Sequence, residues 1–337
     1  MSSVPTGVVP FSKMVSDVES ISFVVLANKE ECRTKDGKPY YRAVFADANR
    51  QVVCPIWSNT HYFQECRDQW TIGKFYKIRA IYRETNYGPK LEIRKIREAN
   101  LSDKQFGFDP NQCRPTSRIA PEILRDELLT LAKVHIGKGP LLMLVQKIFK
   151  EHQNRILETA ASGFHHHVYV GGLLEHLLSV TRIAILLVDH YRTFYPEIKS
   201  RISKPLVVAG AILHDIGKIF EMENTGGRHQ HTLEGDLIGH FILGRDLVHY
   251  FGPLMGVDPK TQLQLEHIII AHSNPDWGAP KIPMSLEALI VHHADFSEAT
   301  FTTAMKTILS DDSQTDLTHR KGPLGTPLLI STTDKQK

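Results

Sequence analysis

The sequence predicts a multidomain protein of α and β structure, in which a small N-terminal β-barrel is followed by an all-α helical bundle. With 337 residues, the chain is longer than one ordinary compact core needs. Short segments rich in β-branched and aromatic residues fill the first hundred positions, whereas apolar residues recur with the helical period from Pro121 onward. The histidines divide the chain at the same place, since only His61 of the 18 lies within the first 134 residues.

The composition is that of a globular protein, with 42% apolar and 23% charged residues. No run of about 18 apolar residues is present to cross a membrane, and residues 1–12 lack the basic and then apolar layout of a secretion signal. We therefore expect a cytoplasmic protein without a membrane partner. The cysteines form no C-x-x-C pair, so we expect free thiols in or near the core at Cys32, Cys54, Cys66 and Cys113.

Five strands are expected in the first part of the chain, at residues 22–26, 40–45, 51–54, 74–82 and 90–94. Asp36-Gly37 predicts a hairpin turn, and residues 86–89 predict a second turn. Five short strands in about 80 residues suit the five-stranded Greek-key barrel called the oligonucleotide-binding (OB) fold, although a two-sheet sandwich fits the same pattern.

A basic face on this barrel is predicted by alternation in the fourth strand. Lys77 and Arg79 share one side of the strand, while the residues beside them enter the core. Residues 1–115 hold 18 Lys and Arg against 13 Asp and Glu, so the first part is basic. Tyr41 and Trp57 are candidates for base stacking, although aromatic rings in a small barrel also fill its core. Together these residues predict binding of single-stranded nucleic acid.

The chain is predicted to divide into an N-terminal extension (1–14), an OB-fold domain (15–105), a linker (106–121), a helical domain (122–309) and a flexible tail (310–337). Within the helical domain, the later helices are expected at residues 173–191, 205–216, 233–250, 261–272 and 285–309.

The most informative feature of the helical domain is the doublet His214-Asp215, at the end of an apolar helix that Gly217 is expected to stop. Adjacent helical residues point about 100° apart, so a shared metal ion would need ligands from other helices. Five candidates lie on other predicted helices: His176, His240, His267, His272 and Asp295. A lone buried histidine is more often a hydrogen-bonded core residue, but the whole series favours a metal site. Imidazole and carboxylate ligands together favour Mn, Fe, Co, Ni or Zn.

This series resembles the HD phosphohydrolase superfamily in its helix-borne histidine, its His-Asp doublet and its late aspartate. Residues 166–176 and 212–218, together with the OB-like first part, resemble the YhaM-type 3′-5′ exoribonucleases over roughly residues 15–305. The resemblance implies a metal-dependent phosphohydrolase with manganese as the first choice of metal. It also implies room for two ions, with Asp215 bridging them and with ligands His176, His214, Asp215, His240, His272 and Asp295.

Catalytic roles are expected for Asp215 and for Lys218, which follows the metal-binding doublet, and the resemblance implies that one of His166 and His167 approaches the scissile phosphate. Lys218 could neutralise a phosphate oxygen, although a lysine at a helix end is also an ordinary dipole partner. The chain departs from the family at His272-Ser273-Asn274, where a His-His-Gly run is common, which leaves metal count and specificity open.

The leading hypothesis is a 3′-5′ exoribonuclease that releases mononucleotides from single-stranded RNA, with DNA as a second candidate substrate. A hydrolase of free nucleotides or cyclic dinucleotides is one alternative. A regulatory nucleic-acid-binding protein with a structural metal centre is another. A homo-oligomer is an expectation from family analogy alone.

Overall fold

The structure is a computed structural model that describes residues 8–34, 36–48, 50–83, 90–110, 113, 116–162, 167, 169–225, 228–311, 315–319 and 324–330. The chain divides into two compact units. One unit contains residues 1–116 and 224–230, and the other contains residues 117–223 and 231–337.

The first unit contains a closed five-stranded barrel. Its strands are β1 (Glu19–Arg33), β2 (Pro39–Ala46), β3 (Gln51–Trp57), β4 (Phe75–Arg83) and β5 (Lys90–Glu98), and α1 (Tyr62–Asp68) lies between β3 and β4. The strand order is β1-β2-β3-β5-β4, and β1 closes the barrel by antiparallel pairing with β4. This closed Greek-key order confirms the predicted OB fold over the alternative of a two-sheet sandwich.

Alternation of side chains explains why these segments form a barrel with one filled interior. Along β4, Ile78 and Ala80 are fully buried in the core, while their neighbours are partly exposed, as the sequence predicts. The Asp36-Gly37 turn is also confirmed, because Gly37 has a φ of 76° and donates its N–H to the Thr34 carbonyl at 2.9 Å. The turn predicted at 86–89 lies outside the described residues.

A buried carboxylate fastens the segment that follows β5. Asp103 is 1% exposed and accepts two hydrogen bonds from the Arg97 guanidinium, at 2.7 and 2.6 Å. It also accepts the backbone N–H of Asn100 in the capping box of a short 3-10 helix, Leu101–Phe106. The hydrogen bonds from Arg97 hold the pKa of Asp103 well below its ordinary value, although burial opposes them.

We expect Asp103→Asn to lower the free energy of unfolding by about 2 kcal/mol at neutral pH, because the buried carboxylate would lose its charge-assisted hydrogen bonds with the half-exposed Arg97. The folded-state pKa of Asp103 lies below its unfolded value, so the carboxylate stabilises the fold above about pH 4. That stabilisation is lost as the pH falls through the depressed folded-state value. Urea unfolding at a series of pH values should show the gap between wild type and variant narrowing below about pH 4. The exposed turn residue Asp36, changed to asparagine, is the control, and a gap independent of pH would contradict the assignment.

The second unit is helical. Its helices are α2 (Pro121–Ile136), α3 (Pro140–Glu151), α4 (Gln153–Glu158), α5 (Gly172–Phe194), α6 (Lys204–Leu213), α7 (Lys218–Glu221), α8 (Leu233–Ile238), α9 (His240–Leu254), α10 (Pro259–Ala271) and α11 (Leu286–Ser310). The helix predicted over 233–250 is two helices, because the chain breaks at Gly239 with a φ of 80°. A short hairpin of β6 (Met222–Thr225) and β7 (Arg228–His231), most of which is grouped with the first unit, also departs from the all-α pattern predicted for this part of the sequence.

Helix α6 is the centre of this bundle and delivers the doublet. Every residue from Leu206 to Leu213 is buried, which is typical of a helix surrounded by others. Its start is fixed by Ser203, whose hydroxyl accepts the Leu206 N–H, and by Pro205 in the first turn. The helix ends at Leu213, earlier than the predicted stop at Gly217, so the doublet occupies the turn directly after it.

Two short stretches of the tail predicted to be flexible pair with each other. Leu317 forms an antiparallel bridge with Leu329, and the Thr318 N–H donates to the Leu328 carbonyl at 2.8 Å. All four cysteines are free thiols as expected, and burial raises the pKa of Cys54 to about 12. Among the described helices, none combines the length and apolar character needed to span a membrane.

Candidate active site

Two histidines of the predicted series are fixed by backbone carbonyls. His214 Nδ1 lies 2.8 Å from the Ala211 carbonyl oxygen, and His272 Nδ1 lies 2.7 Å from the Ile269 carbonyl oxygen. A carbonyl can only accept, so Nδ1 carries the proton in both rings and Nε2 is left with a lone pair in the neutral form. Burial lowers the pKa of His214 to about 4, which keeps that imidazole neutral at pH 7.

Two further histidines are fixed by buried carboxylates. His176 Nδ1 lies 2.6 Å from Glu298 Oε2, and His240 Nδ1 lies 2.8 Å from Glu221 Oε1. Each of these carboxylates accepts a hydrogen bond from the Nδ1–H group. This contact directs Nε2 of the ring toward the other predicted ligands. Carboxylate partners of this kind orient histidine ligands and raise their basicity in metal sites.

The free ring atoms of the first half of the cluster converge. His176 Nε2 lies 3.2 Å from His214 Nε2, 3.3 Å from Asp215 Oδ2 and 3.2 Å from Asp295 Oδ1. Two imidazole nitrogens at this distance repel each other if both present lone pairs, so a proton or a metal ion must lie between them. These residues come from α5, the turn after α6, and α11.

The second half of the cluster faces the other oxygen of the same aspartate. Asp215 Oδ1 lies 3.4 Å from His240 Nε2 and 3.4 Å from His272 Nε2. This oxygen is buried and has no hydrogen-bond partner among the described residues. An orphaned carboxylate oxygen facing two imidazole nitrogens is costly unless a cation binds there. The donor set therefore fits a divalent transition metal, and two overlapping groups of His and Asp lie close enough to hold one, His176-His214-Asp295 and His214-Asp215-His272.

Protonation of the cluster is coupled to the cation it would hold. Burial lowers the pKa of His176, but hydrogen bonding to Asp215, Asp295 and Glu298 raises it well above the ordinary value. A metal ion would replace the proton shared among these groups, so metal binding would release protons.

Lys218 contacts the central carboxylate. Its Nζ lies 2.6 Å from Asp215 Oδ2, and its backbone N–H donates to the Asp215 carbonyl. Burial lowers the pKa of Lys218, but the charge of Asp215 outweighs burial and raises it, so the ammonium stays charged. The structure thus places Lys218 beside a predicted metal ligand, at the edge of the cleft described below.

Gly217 allows His240 to approach the doublet. A Cβ atom at Gly217 would lie 2.0 Å from the His240 carbonyl oxygen and 2.5 Å from the Gly244 nitrogen. Only a residue without a side chain lets the first turn of α9 pack against the turn that bears Asp215.

Two other histidines singled out in the sequence, His167 and His267, lie outside the central group. His167 is buried behind the cluster, with Nε2 2.8 Å from Glu298 Oε1 and Nδ1 2.5 Å from the Tyr169 hydroxyl. His267 accepts the Met284 N–H at 2.9 Å and does not join the central group. His166 lies outside the described residues.

Glu298 is the site residue that sequence reasoning missed. It is 4% exposed and contacts both His176 and His167. The one signal in the sequence is its place one helical turn after Asp295, on the same face of α11. A glutamate in that position is indistinguishable by pattern from a solvated helix residue.

A cleft of about 480 Å³ opens at the cluster. It is lined by five residues of the centre, Asp215, Lys218, His240, His272 and Asp295, and also by Ser273 and Asn274, where the chain departs from the family pattern. Asn274 Oδ1 accepts the Asp276 N–H, so the segment after His272 forms a compact turn beside the cleft.

On the barrel, the predicted basic residues are partly neutralised. Lys77 Nζ lies 3.7 Å from Asp103 Oδ1 and 4.7 Å from the centre of the Phe106 ring, and Arg79 forms an ion pair with Glu19. Both side chains remain partly exposed, so the strand keeps a basic face with less free charge than the sequence suggested.

The aromatic predictions on the barrel divide. The prediction that Tyr41 stacks bases is wrong, because its ring is 7% exposed in the barrel core and its hydroxyl donates to Glu31 at 3.1 Å. Trp57 is 45% exposed, and its ring centre lies 4.9 Å from that of Tyr40, its cross-strand neighbour. The adjoining rings are therefore those of the half-buried Tyr40 and the exposed Trp57, on the face formed by β2 and β3.

Comparison with known proteins agrees with this site. Residues 173–300 match the family model of the HD domain. These residues therefore form an HD domain, and the domain together with the relatives described next indicates a hydrolytic enzyme.

More particularly, the predicted resemblance to the YhaM-type proteins is confirmed. The protein named 3′-5′ exoribonuclease YhaM from Listeria welshimeri is 28% identical over 280 residues, which cover 82% of this chain and 84% of the relative. Proteins of the same name from Listeria monocytogenes and Listeria innocua match equally, at 28% identity.

A solved domain of replication protein A from Methanococcus maripaludis matches 28% of this chain and 96% of its own, with 6% identity and a TM-score of 0.23. The barrel is an OB fold by its strand order, β1-β2-β3-β5-β4.

Proposed function

We propose that the protein is a metal-dependent 3′-5′ exoribonuclease that hydrolyses single-stranded RNA and releases mononucleotides. One observation carries the proposal: four histidines, each with Nδ1 engaged, direct Nε2 toward Asp215 and Asp295 at the edge of a cleft. The names of the Listeria relatives support RNA as the substrate and the 3′ end as the point of attack.

The ligands would be divided between two positions. His176, His214, Asp215 and Asp295 would hold one ion, and His240 and His272 would hold a second ion that shares Asp215. When bound, divalent manganese would supply Lewis-acid stabilisation of the phosphate charge and would lower the pKa of a water molecule.

The residues of the chain prepare this centre for a phosphodiester. Glu298 and Glu221 hold two of the histidines in one tautomer and one orientation. Burial raises the pKa of Asp215, but the opposing effect of Lys218 and the neighbouring histidines is larger. The pKa is therefore lowered, and the carboxylate remains ionised. Lys218, charged at the cleft, also adds positive potential where a phosphate would lie.

The barrel would bind the single-stranded RNA. The face formed by the second and third strands of an OB fold is its usual site for oligonucleotides, and the exposed Trp57 ring lies there beside the half-buried Tyr40 ring. Rings of this kind stack bases without sequence preference. Lys77 and Arg79 on β4 would contribute contacts with RNA phosphates.

The proposal is tested by incubating the protein and manganese with RNA labelled at its 5′ end. A ladder that shortens one nucleotide at a time, with nucleoside monophosphate as the released product, is expected for a single strand. A chelator should stop the reaction. Hydrolysis of free nucleotides or cyclic dinucleotides with no shortening of any strand would contradict the proposal and favour that other class of HD hydrolase.

A further inference from the structure

Two exposed aromatic rings lie in the same cleft as the metal-ligand cluster. Trp277 is 62% exposed and Phe296 is 44% exposed, and both line the cleft. Their ring centres lie 5.9 Å apart and their planes differ by 16°, which is the geometry of an offset stacked pair. We call this pair of nearly parallel, partly exposed rings the Trp277–Phe296 platform.

Each ring is tied through the backbone to a residue of the centre. Phe296 follows Asp295 directly on α11. Trp277 lies five residues after His272, in the 3-10 helix Pro275–Trp277. Its backbone N–H donates to the Asn274 carbonyl at 2.8 Å. The platform is therefore held in place by the same segments that position two of the predicted ligands.

The exposure of the platform is unlike that of core aromatic residues. Large rings normally bury most of their surface, and adjoining exposed rings in a cleft mark a binding site more often than a packing need. Flat aromatic surfaces beside a phosphate-handling site suit a nucleobase, because every base offers a π-face for stacking. The cleft volume of about 480 Å³ is also within the usual range for small-molecule sites.

We propose that the Trp277–Phe296 platform stacks the base of the nucleotide whose phosphate lies at the Asp215 centre. This inference rests on the proposed function, and it names the residues that hold the terminal base. Stacking alone would tolerate any base at the 3′ end. It would also require that base to leave its pairing partner, so that a paired 3′ end would be a poor substrate.

The kinetic test compares Trp277→Ala, Phe296→Ala and Trp277→Phe with wild type on two RNA strands, one intact and one lacking its 3′-terminal base. On the intact strand, the alanine variants should lose about 10- to 100-fold in kcat/KM, the range expected for one base-aromatic stack. Trp277→Phe should recover most of the rate. Wild type should lose a similar factor in kcat/KM when the intact strand is replaced by the abasic strand. On the abasic strand, the alanine variants should show no further loss of kcat/KM relative to wild type. Equal losses on both strands, or no loss on either, would overturn the platform.

A binding test does not depend on hydrolysis. Adenosine 5′-monophosphate added to the full-length protein without metal should quench tryptophan fluorescence, while ribose 5-phosphate should not. The quenching should disappear in Trp277→Phe and persist in Trp57→Phe, which removes the exposed tryptophan of the barrel. Quenching that survives in Trp277→Phe would overturn the platform. Quenching that depends on Trp277, without cleavage of any strand, would support the platform and refute the exoribonuclease.

Discussion

Asp215→Asn should reduce hydrolysis of single-stranded RNA by about a thousandfold or more. One oxygen of Asp215 faces His240 and His272, and the other faces His176 and Lys218. An amide in that place would offer one weaker oxygen donor and one N–H group, and both halves of the proposed metal site would lose their shared ligand. A metal centre contributes several kcal/mol of charge stabilisation, and each 1.36 kcal/mol is a factor of ten in rate.

The measurement is kcat/KM on a labelled strand, with RNA binding measured in parallel. Binding through the barrel should persist, so the loss should fall on catalysis. Asp246→Asn on α9 is the matched control, because Asp246 is exposed and pairs only with Arg245 among the described residues. An Asp215→Asn enzyme with wild-type turnover, or an equal loss in the control, would exclude Asp215 from the reaction.

Glu298→Gln should weaken metal binding or activity by about 10- to 100-fold, the usual cost of losing a carboxylate behind a histidine ligand. Glu298 accepts hydrogen bonds from His176 Nδ1 at 2.6 Å, His167 Nε2 at 2.8 Å and Thr302 Oγ1 at 2.9 Å. Without the charge of Glu298, His176 becomes a weaker electron-pair donor to a metal ion, and its ring is held less firmly. The expected signature is a manganese activation curve shifted to higher concentration, with much of the activity restored at saturating metal.

Glu287→Gln provides the control for Glu298. Glu287 is also buried on α11, but it accepts the backbone N–H of Ser203 and does not contact the cluster. Its loss should lower stability while leaving the manganese requirement unchanged. Identical activation curves for Glu298→Gln and wild type would show that Glu298 does not act through a metal ligand.

The sequence was most informative where chemistry restricts the choice of residue. A His-Asp doublet after an apolar helix, with histidines on other helices, is hard to explain by packing, and the structure brings six of the seven candidate side chains together. His267 faces away from the cluster, because its position on α10 directs its ring toward the backbone of Met284. Glu298 escaped notice because a glutamate on a helix is ordinary until its burial is known.

The barrel shows the complementary difficulty. Strand positions followed from β-branched and aromatic residues, but the sequence could not tell which of two neighbouring tyrosines faces solvent. Successive side chains point to opposite faces, so an uncertainty of one position exchanged the half-buried Tyr40, which contacts Trp57, for the buried Tyr41. Likewise, Lys77 looked free in the sequence because its partner Asp103 lies 26 residues away.

The proposed function requires these histidines and aspartates to bind a catalytic transition metal. Anomalous diffraction from crystals grown with manganese, recorded on both sides of its absorption edge, tests this most directly. We expect a peak within bonding distance of His176 Nε2, His214 Nε2 and Asp215, with a second peak near His240 and His272 if two ions bind. Manganese found only elsewhere on the protein, or absent with the imidazoles turned away from Asp215, would contradict the claim.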